Sequence, residues 1–480
     1  MKGNRTTSRQ RDRGDLLRFK PVAFLLGSPA FVTSLQIVTL ALFIIAIIKG
    51  FSLPGKYENL FTTGLFWGLF WPFFIFIFTP LFGKIFCGIC PHRLIIFSMG
   101  SRFGLGKKPP KWVDSGYLSL AMVLLFYWLP VYASPGIFHS PLNTAIYFSL
   151  FTLIAVLFSL YYSPKSWCKG VCPVALPTNI VSRVAFMGIR TYKEGCNACR
   201  KATCFTGREG IEGCPHGINP SLLQSNADCT LCMKCIPACS HDAIRFGTVR
   251  PFDDFRQKRR KRDMPGALGT LLLFGALTLT MQLYNGIYKG AMKESFPLAR
   301  LAAHFQPFVD FAISREGLVA LTTFLFSLSF ILAYYLIFSF LAGRKTGKGM
   351  AEPFELFAWT LLPVFALSSF SQMGEFFSFR YYPMMADAFF DLFGMAGRAL
   401  PLAPMNSIWL SGFKFIAIAG AIWSMVFAWR ASGSLSEFKS TRIIISLPFW
   451  MLYLFVMSGF IAHMIVMIYL DIPEVTGPRH

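Results

Sequence analysis

Twelve cysteines are the residues of this 480-residue chain that could do chemistry together, and eight of them fall in one polar stretch. The stretch holds two runs, and the second has the spacing C-x2-C-x2-C-x3-C, which wraps thiolates around a [4Fe-4S] cluster. The first run is looser, C-x2-C-x4-C-x9-C. A cubane needs soft ligands from several directions, which three cysteines of a tight loop and a fourth from further along provide. The first run is Cys196, Cys199, Cys204 and Cys214, and the second is Cys229, Cys232, Cys235 and Cys239.

Zinc sites and disulfides are the two other uses of closely spaced cysteines. Zinc sites usually show paired C-x2-C knuckles rather than a triple. Disulfides need an oxidising compartment, and the topology derived below places the cysteines on the reducing side of a membrane. We therefore predict two [4Fe-4S] clusters in this stretch, with zinc as the remaining alternative.

A second set of cysteines lies in two shorter Cys-Pro motifs. Cys87 and Cys90 follow the second apolar stretch of the chain, and Cys168 and Cys172 follow the fourth. Because these two apolar stretches would run in the same direction, the motifs emerge at the same face and could meet as one four-cysteine site. That site could hold an iron-sulfur cluster or zinc, or the pairs could be redox-active dithiols. A pair of helix-ending Cys-Pro turns is the purely structural alternative.

Apolar helices are the elements that must position these cysteines. Of the residues, 54% are hydrophobic and 14% are charged, whereas in soluble domains about a quarter of all residues are charged. A spanning helix needs about 20 mainly apolar residues. Nine stretches qualify, roughly 31–48, 60–82, 116–133, 144–162, 266–286, 317–342, 355–372, 407–429 and 444–470. We expect a polytopic α-helical membrane protein with an inserted small α+β domain that carries the cysteine-rich stretch.

Basic residues predict the orientation of the chain. With the N-terminus in the cytoplasm and the spans alternating, 36 of the 46 Lys and Arg residues fall on cytoplasmic segments. Because Lys and Arg concentrate on cytoplasmic loops, this asymmetry predicts a multi-pass protein of the cytoplasmic (inner) membrane, with all twelve cysteines inside and the C-terminus outside. It also accounts for the net charge of +23 without nucleic acid as a partner.

Five regions follow from this topology. They are a basic cytoplasmic arm on anionic lipid (1–29), a four-helix membrane region with both Cys-Pro motifs (30–190), the cysteine-rich domain (191–250), a basic juxtamembrane linker (251–265) and a five-helix membrane region (266–480). We interpret the run Arg256 to Arg262 as a lipid-facing anchor, with docking of an acidic redox partner as the alternative. The loops 287–316 and 373–406 are expected to include amphipathic helices at the opposite face.

Few polar side chains fall within the spans of the last region. Charge in a bilayer is costly, so each such residue is a candidate functional group. We favour the interpretation that Lys414 snorkels or forms a structural pair with Glu375. The alternative is a quinone head-group site made of Gln372, Glu375, Lys414 and His463. Haem is not expected, because it needs two axial histidines and His463 alone falls within a predicted span.

The cysteine-rich stretch resembles the bacterial-type two-cluster ferredoxin domain. Its second run continues as CSHDAIRF (Cys239 to Phe246), close to the CPxxAI ending of that family. In such domains the fourth cysteine of each run ligates the other cluster. The resemblance thus implies one cluster on Cys196, Cys199, Cys204 and Cys239, and another on Cys214, Cys229, Cys232 and Cys235. Two departures are Ser240 in place of the usual proline and the extra residues between Cys199 and Cys214.

Paired C-x2-C-P and C-x3-C-P motifs after hydrophobic hairpins, followed by a two-cluster ferredoxin domain, are similar to the NapH/NosR/MauN-type membrane-bound polyferredoxins over roughly residues 60–250. The resemblance implies iron-sulfur electron transfer between the quinone pool, or a membrane partner, and a respiratory redox enzyme, as in a quinol dehydrogenase component. Residues 1–29 are too short for the flavin domain of NosR-like proteins. The last five spans go beyond the NapH-like pattern.

Two other functions stay open from the sequence. One is a redox-dependent assembly or metal-handling factor that reduces a metal or a thiol for a partner enzyme without quinone chemistry. The other is a transporter or sensor whose clusters report redox state. Within the electron-transfer hypothesis, Lys201, Arg208 and Lys234 are expected to favour the more negative, reduced form of the clusters.

Overall fold

The computed structural model describes residues 12–469, apart from 56–57, 129–134, 209, 257–261, 292, 294, 311–312, 396 and 405–406. The first eleven residues of the predicted basic arm, the centre of the basic run Arg256 to Arg262 and the C-terminal tail lie outside the described residues. What the sequence suggests for them stays a prediction.

Helices make up most of the described chain. In order, they are α1 (Lys20–Gly27), α2 (Pro29–Ser52), α3 (Leu60–Phe82), α4 (Ile85–Ile89), α5 (Pro91–Phe103), α6 (Tyr117–Trp128), α7 (Pro141–Tyr161), α8 (Ala175–Val181), α9 (Met264–Lys289), α10 (Pro297–Val309), α11 (Arg315–Thr346), α12 (Ala351–Leu392), α13 (Ile408–Leu435) and α14 (Lys439–Tyr469). Shorter helical turns cover Leu16–Arg18, Lys111–Asp114, Pro135–Phe138, Pro164–Ser166, Trp167–Val171, Ser182–Val184 and Asp253–Arg256.

Eight of these helices are long and apolar enough to cross a membrane, namely α2, α3, α7, α9 and α11 to α14. This confirms the prediction of a polytopic α-helical membrane protein. The third predicted span, 116–133, corresponds to α6, a shorter apolar helix that ends next to residues outside the description. The structure is therefore mainly α-helical, as the sequence predicts. Within the described chain, eight helices rather than the predicted nine are long enough to span a bilayer.

The seventh predicted span, 355–372, is too short. It lies inside α12, which continues to Leu392, so the first half of the predicted loop 373–406 is helix. The extension packs closely on α3, where a Cβ added to Gly64 would stand 2.4 Å from the Cβ of Ala388. By composition alone, the polar residues after position 372 suggest that the helix ends there. Burial of this face against α3 stabilises its continuation.

Two short helices after α3 fold back into the bundle, whereas the sequence predicted that residues 84–113 form a loop in the cytoplasm. They are α4 and α5, which meet at Cys90. Gln36 Nε2 of α2 donates to the carbonyl of Gly88 over 2.7 Å, and His92 shares a hydrogen bond of 2.9 Å with Thr152, midway along α7. Irregular backbone inside a membrane bundle is tolerated where protein groups satisfy it, as Gln36 does for the turn between these helices.

The cysteine-rich stretch folds around a two-stranded antiparallel sheet. Strand β1 (Met187–Thr191) pairs with β2 (Ile244–Thr248), and Ile189 stands opposite Phe246. All eight cysteines of the stretch fall between these strands in sequence. The helices between the strands are one or two turns long, at Lys193–Ala198, Thr203–Thr206, Pro220–Leu222 and Cys235–Ala238. This small domain therefore combines a short sheet with helical turns.

The start of the described chain is bound to this sheet through Asp15, a fully buried residue. Its Oδ1 accepts hydrogen bonds from the backbone N–H of Leu17 (3.0 Å) and of Phe246 (3.3 Å), and its Oδ2 accepts from the hydroxyl of Tyr192 (2.9 Å). The sequence assigned the whole arm to the lipid surface. For the residues around Asp15, the partner is instead the cysteine-rich domain.

The two helical regions pack as one bundle. The largest hydrophobic core joins residues of α3, α6 and α8 to residues of α9 to α14. At the end nearest the cysteine-rich domain, Arg183 Nη2 lies 2.5 Å from Asp263 Oδ2, and its guanidinium lies 4.4 Å from the centre of the Trp359 ring. The helix α10 lies within the predicted loop 287–316, with Ala302 buried and Phe305 and Phe308 exposed.

Candidate functional site

The fold of the cysteine-rich domain sorts its eight cysteines into two groups. In the first group, Cys204 is close enough to Cys196, Cys199 and Cys239 to interact with them electrostatically. Cys204 lies in the helical turn Thr203–Thr206, and Cys239 directly follows the turn Cys235–Ala238. The structure thus brings the last cysteine of the second run to the first three cysteines of the first run, which is the set implied for one cluster.

The second group gathers around a small cavity of about 30 Å³. Its cysteine lining is Cys214, Cys229, Cys232 and Cys235. The backbone is left-handed at Leu231 (φ 49°) and Met233 (φ 58°), a conformation that non-glycine residues seldom adopt. These two positions keep the loop tight, so that its three cysteines and Cys214 share one volume.

The thiols of this second group differ in acidity. Burial raises the pKa of Cys229 to about 12. Burial would also raise the pKa of Cys232, but the guanidinium of Arg93 and hydrogen bonds to its sulfur hold that pKa below its ordinary value. Because metal ligation requires the thiolate, Cys232 is prepared for ligation, whereas Cys229 needs the positive charge of a metal to lose its proton.

The two Cys-Pro motifs meet at a second cavity, of about 120 Å³. Its cysteine lining is Cys87, Cys90, Cys168 and Cys172. The fold-back of α4 and α5 supplies the first pair. The turn Trp167–Val171 supplies Cys168 and ends at Cys172, and Trp167 packs against Phe151 of α7 with ring centres 5.6 Å apart. All twelve cysteines of the chain are free thiols.

A glycine in the first Cys-Pro motif allows this four-cysteine site to approach the cysteine-rich domain. A Cβ added to Gly88 would stand 3.0 Å from the carbonyl oxygens of Thr230 and Leu231 and 3.2 Å from the Cα of Cys232. These are backbone atoms, which cannot move aside as a flexible side chain can. The turn Cys87–Cys90 and the loop Cys229–Cys235 are therefore in direct backbone contact.

The two cysteine cavities share a wall. His216 and Thr230 line both of them. The Nε2 atom of His216 is buried without a hydrogen-bond partner among the described residues. Burial, together with the positive charges of Arg93 and Lys84, lowers the pKa of His216 to about 3, so its ring is neutral. An imidazole nitrogen at this wall is available to the sulfur of a group bound in either cavity.

Two buried cations near this wall were not anticipated from the sequence. The exposed fractions of Lys84 and Arg93 are 5% and 4%. Lys84 donates to the carbonyl of Ala227, while Arg93 Nη1 donates to Thr230 Oγ1 over 3.3 Å. A sequence signal was present, since each cation lies three residues from a cysteine of the first motif. In sequence, both residues belong to the general excess of basic residues on the predicted cytoplasmic segments.

The three cations that the sequence did suggest are more exposed to solvent than Lys84 and Arg93. Lys201 and Arg208 are exposed. Lys234 forms an ion pair with Glu212, whose side chain is 58% exposed. Solvent screens such charges, so they should influence bound clusters less than Lys84 and Arg93.

The cavity of the four cysteines has an apolar end as well. Most of its aromatic lining comes from α3, α6 and α7, namely Trp67, Phe70, Trp71, Phe126, Tyr147, Phe148 and Phe151. His92 also lines the cavity and packs edge-on against Phe43 and Phe151, with ring centres 4.8 and 4.9 Å apart. One side of this site therefore faces the helical bundle and the other faces the cysteine-rich domain.

The cysteines are not arranged around a single metal ion. Within the described ranges, no three His, Cys, Asp or Glu side chains are close enough together to hold one ion. A polynuclear cluster keeps its ligand sulfurs further apart, because several metal and sulfide atoms separate them. Four thiols around a cavity fit that larger type of group.

The four residues of the predicted quinone site are partly gathered. Lys414 Nζ lies 2.7 Å from the carboxylate of Glu375, and His463 is close enough to Lys414 to interact with it electrostatically. Gln372 precedes Glu375 by one turn of α12. Glu375 lies within the long helix α12 and not at the end of a span. Neither of the two cysteine-lined cavities includes these residues.

Comparison with known proteins gives distant relatives only. The chain is 24% identical over 188 residues to the uncharacterized protein MJ0750 of Methanocaldococcus jannaschii, an alignment that covers 36% of this chain and 75% of the relative. It is also 24% identical over 176 residues to the uncharacterized protein MJ0749 of the same organism, covering 34% of this chain and 64% of the relative. No family model and no solved structure matches the chain.

Proposed function

We propose that this protein is a membrane-bound electron-transfer protein with two [4Fe-4S] clusters in its cysteine-rich domain and a third iron-sulfur centre at the four-cysteine site. It passes electrons between the membrane and a redox enzyme on the side of the cysteine-rich domain. The observation that carries the proposal is the shared wall of the two cysteine cavities, with Gly88 in contact with the loop of Cys232. Cys235 of the second group is in turn close enough to Cys204 to interact with it electrostatically. The three cysteine sites thereby follow one another as a series.

The residues present suit iron-sulfur clusters in their chemistry. Each of the three groups offers four thiols, the soft ligands that such clusters take. One cluster would be held by Cys196, Cys199, Cys204 and Cys239, another by Cys214, Cys229, Cys232 and Cys235, and the third centre by Cys87, Cys90, Cys168 and Cys172. The unpartnered Nε2 of His216 is a buried polar atom that a cluster sulfur would satisfy.

When bound, each cluster accepts or gives one electron. The chain itself holds the three sites in order, and Cys232 and Cys235 of the middle site are buried. Hydrogen bonds to sulfur, burial and local charge tune the potentials of such centres. Arg93 is placed to supply both a hydrogen bond and a charge, and the neutral ring of His216 is placed to supply a hydrogen bond. The reduced clusters are more negative, so nearby cations favour them.

A quinone is the membrane carrier that we propose, as the resemblance to the NapH/NosR/MauN-type polyferredoxins suggests. The ring of the quinone would bind at the aromatic end of the four-cysteine cavity, beside the third centre. The alternative location is the group around Glu375 and Lys414. In this proposal the cysteine-rich domain lies in the cytoplasm and the protein acts as a quinol dehydrogenase-type component of a respiratory chain.

Anaerobic purification of the full chain with iron and acid-labile sulfide analysis tests the proposal. Two [4Fe-4S] clusters give about eight iron atoms per chain, and a third centre gives more. Fewer than eight, with no reducible S = 1/2 signal in electron paramagnetic resonance, would contradict it. Reduction of the clusters by a quinol in liposomes tests the carrier. Full clusters that quinol does not reduce would favour the redox-dependent assembly factor instead.

A further inference from the structure

Lys84 and Arg93 are buried cations, and the oxygen acceptors of their hydrogen bonds belong to neutral groups. Arg93 Nη1 donates to Thr230 Oγ1 (3.3 Å) and to the carbonyl of Cys87 (3.5 Å). Lys84 Nζ donates to Asn179 Oδ1 and to the carbonyl of Ala227. In the part of the chain that the structure describes, neither cation has a carboxylate oxygen within ion-pair distance.

Such an arrangement is costly without a negative partner. Removing a charge from water costs several kcal/mol per ion even after the protein relaxes, and buried charges in proteins are normally paired or bound to metal sites. The carboxylate nearest in effect to Lys84 is Asp228, whose own side chain is exposed. Burial lowers the pKa of Lys84, whereas Arg93 keeps its charge. The interior thus holds one cation, and a second group that a negative partner would keep charged, and no carboxylate of the described residues forms an ion pair with either.

Thiols from both cysteine cavities surround these cations. Arg93 interacts electrostatically with Cys232 of the ferredoxin-like loop and with Cys168 and Cys87 of the four-cysteine site. Lys84 interacts with Cys229 and, likewise, with Cys87. Each cation thus lies between the two sites and faces ligands of both. The electrostatic neighbours of Cys204 are instead Cys239, Cys196 and Cys199.

We propose that Arg93 and Lys84 are shared counter-charges of the four-cysteine centre and of the adjoining cluster on Cys214, Cys229, Cys232 and Cys235. The inference rests on the proposed function, because thiolate-bound clusters supply the missing negative charge. The two cations make both centres easier to reduce than the cluster on Cys204. Arg93 acts as a positioning residue through its charge and its hydrogen bonds. Electrons are thereby favoured at the end of the series that adjoins the helical bundle.

Redox titration of the full, anaerobically purified protein, with dithionite as reductant and paramagnetic resonance as readout, tests this inference. In Arg93→Gln, the equilibrium for reduction of the adjoining cluster and of the four-cysteine centre should fall at least tenfold, which is 59 mV for a one-electron couple. The cluster on Cys204 should keep its potential. Arg93→Lys, which keeps the charge, should recover most of the loss.

Lys234→Gln is the matched control. It removes the same charge beside Cys235, but Lys234 is partly exposed and paired with Glu212. Its effect should stay below tenfold, and an effect as large as that of Arg93→Gln would overturn the role of burial. Unchanged potentials in Arg93→Gln, or an equal shift of all three centres, would also overturn the inference.

The iron content separates the possible failures. Normal iron with unchanged potentials contradicts the counter-charge role and leaves the electron-transfer proposal standing, whereas wild-type protein without iron contradicts both. If Arg93→Gln loses the iron of the two adjoining sites while Arg93→Lys retains it, the positive charge is needed for cluster binding and the inference holds. Equal loss in both variants would assign Arg93 to packing and overturn it.

Discussion

Arg93 donates a hydrogen bond of 3.3 Å to the hydroxyl of Thr230 and so joins the helix after Cys90 to the loop between Cys229 and Cys232. The contact connects two parts of the chain that serve different cysteine groups. A protein that merely anchored a ferredoxin-like domain to a membrane would not need to bury a guanidinium at this junction. The contact therefore favours a series of centres that extends into the helical bundle.

Gly88→Ala tests whether close backbone contact at this junction matters. The added Cβ would stand 3.0 Å from two carbonyl oxygens of the loop that carries Thr230 and Leu231. Overpacking of this kind costs about 1–3 kcal/mol and shifts the backbone. We expect lower thermal stability in detergent and slower reduction, by quinol, of the two clusters in the cysteine-rich domain.

The control for this change is Gly349→Ala, because a Cβ added at Gly349 would meet nothing within 4 Å. It should leave both the unfolding temperature and the reduction rate as in the wild type. If Gly88→Ala behaves in the same way, the two loops are not in functional contact.

Serine replacements test the exchange of the fourth cysteine between the runs. Cys239 belongs to the second run in sequence but lies close to Cys204 in space. Cys239→Ser and Cys199→Ser should therefore remove the same paramagnetic signal and about four iron atoms each, the content of one cluster. Cys214→Ser and Cys232→Ser should remove the other signal. If Cys239→Ser instead removes the signal that Cys232→Ser removes, this assignment of ligands is wrong.

Much of the fold was predictable because spacing and hydrophobicity report it directly. Apolar stretches of about 20 residues located most spans, and the resemblance to two-cluster ferredoxins implied which cysteines come together. The fold-back of α4 and α5 was missed since neither helix is long enough to register as a span. The extension of α12 was missed because its second part contains charged residues, and only its packing on α3 shows that it continues.

The buried cations were missed for a different physical reason. Basic residues after an apolar stretch normally remain in water at the cytoplasmic face. Lys84 and Arg93 follow that pattern in sequence but turn inward with the fold-back. Composition cannot distinguish a cation at the surface from one buried among thiols, because the difference arises from tertiary packing.

The ion pair between Lys414 and Glu375 is predicted to be structural. Both side chains are largely buried, and removing one partner leaves an uncompensated charge. Lys414→Met should lower the free energy of unfolding by about 3–5 kcal/mol, whereas the double variant with Glu375→Leu should recover most of it. The measurement is unfolding in detergent, alongside quinol-driven reduction of the folded fraction. A selective loss of reduction with unchanged stability would instead place the quinone site at this pair.

Asp15→Ala should release the start of the described chain from the cysteine-rich domain. Asp15 is fully buried and accepts hydrogen bonds from the backbone N–H of Leu17 and Phe246 and from the hydroxyl of Tyr192. Leaving buried donors unsatisfied costs about 1–3 kcal/mol, so we expect hydrogen exchange at the Leu17 and Phe246 amides to become roughly tenfold faster or more. Asp12→Ala is the control, because the Asp12 side chain is 66% exposed. Equal exchange in the two variants would mean that lipid, and not Asp15, holds this segment in place.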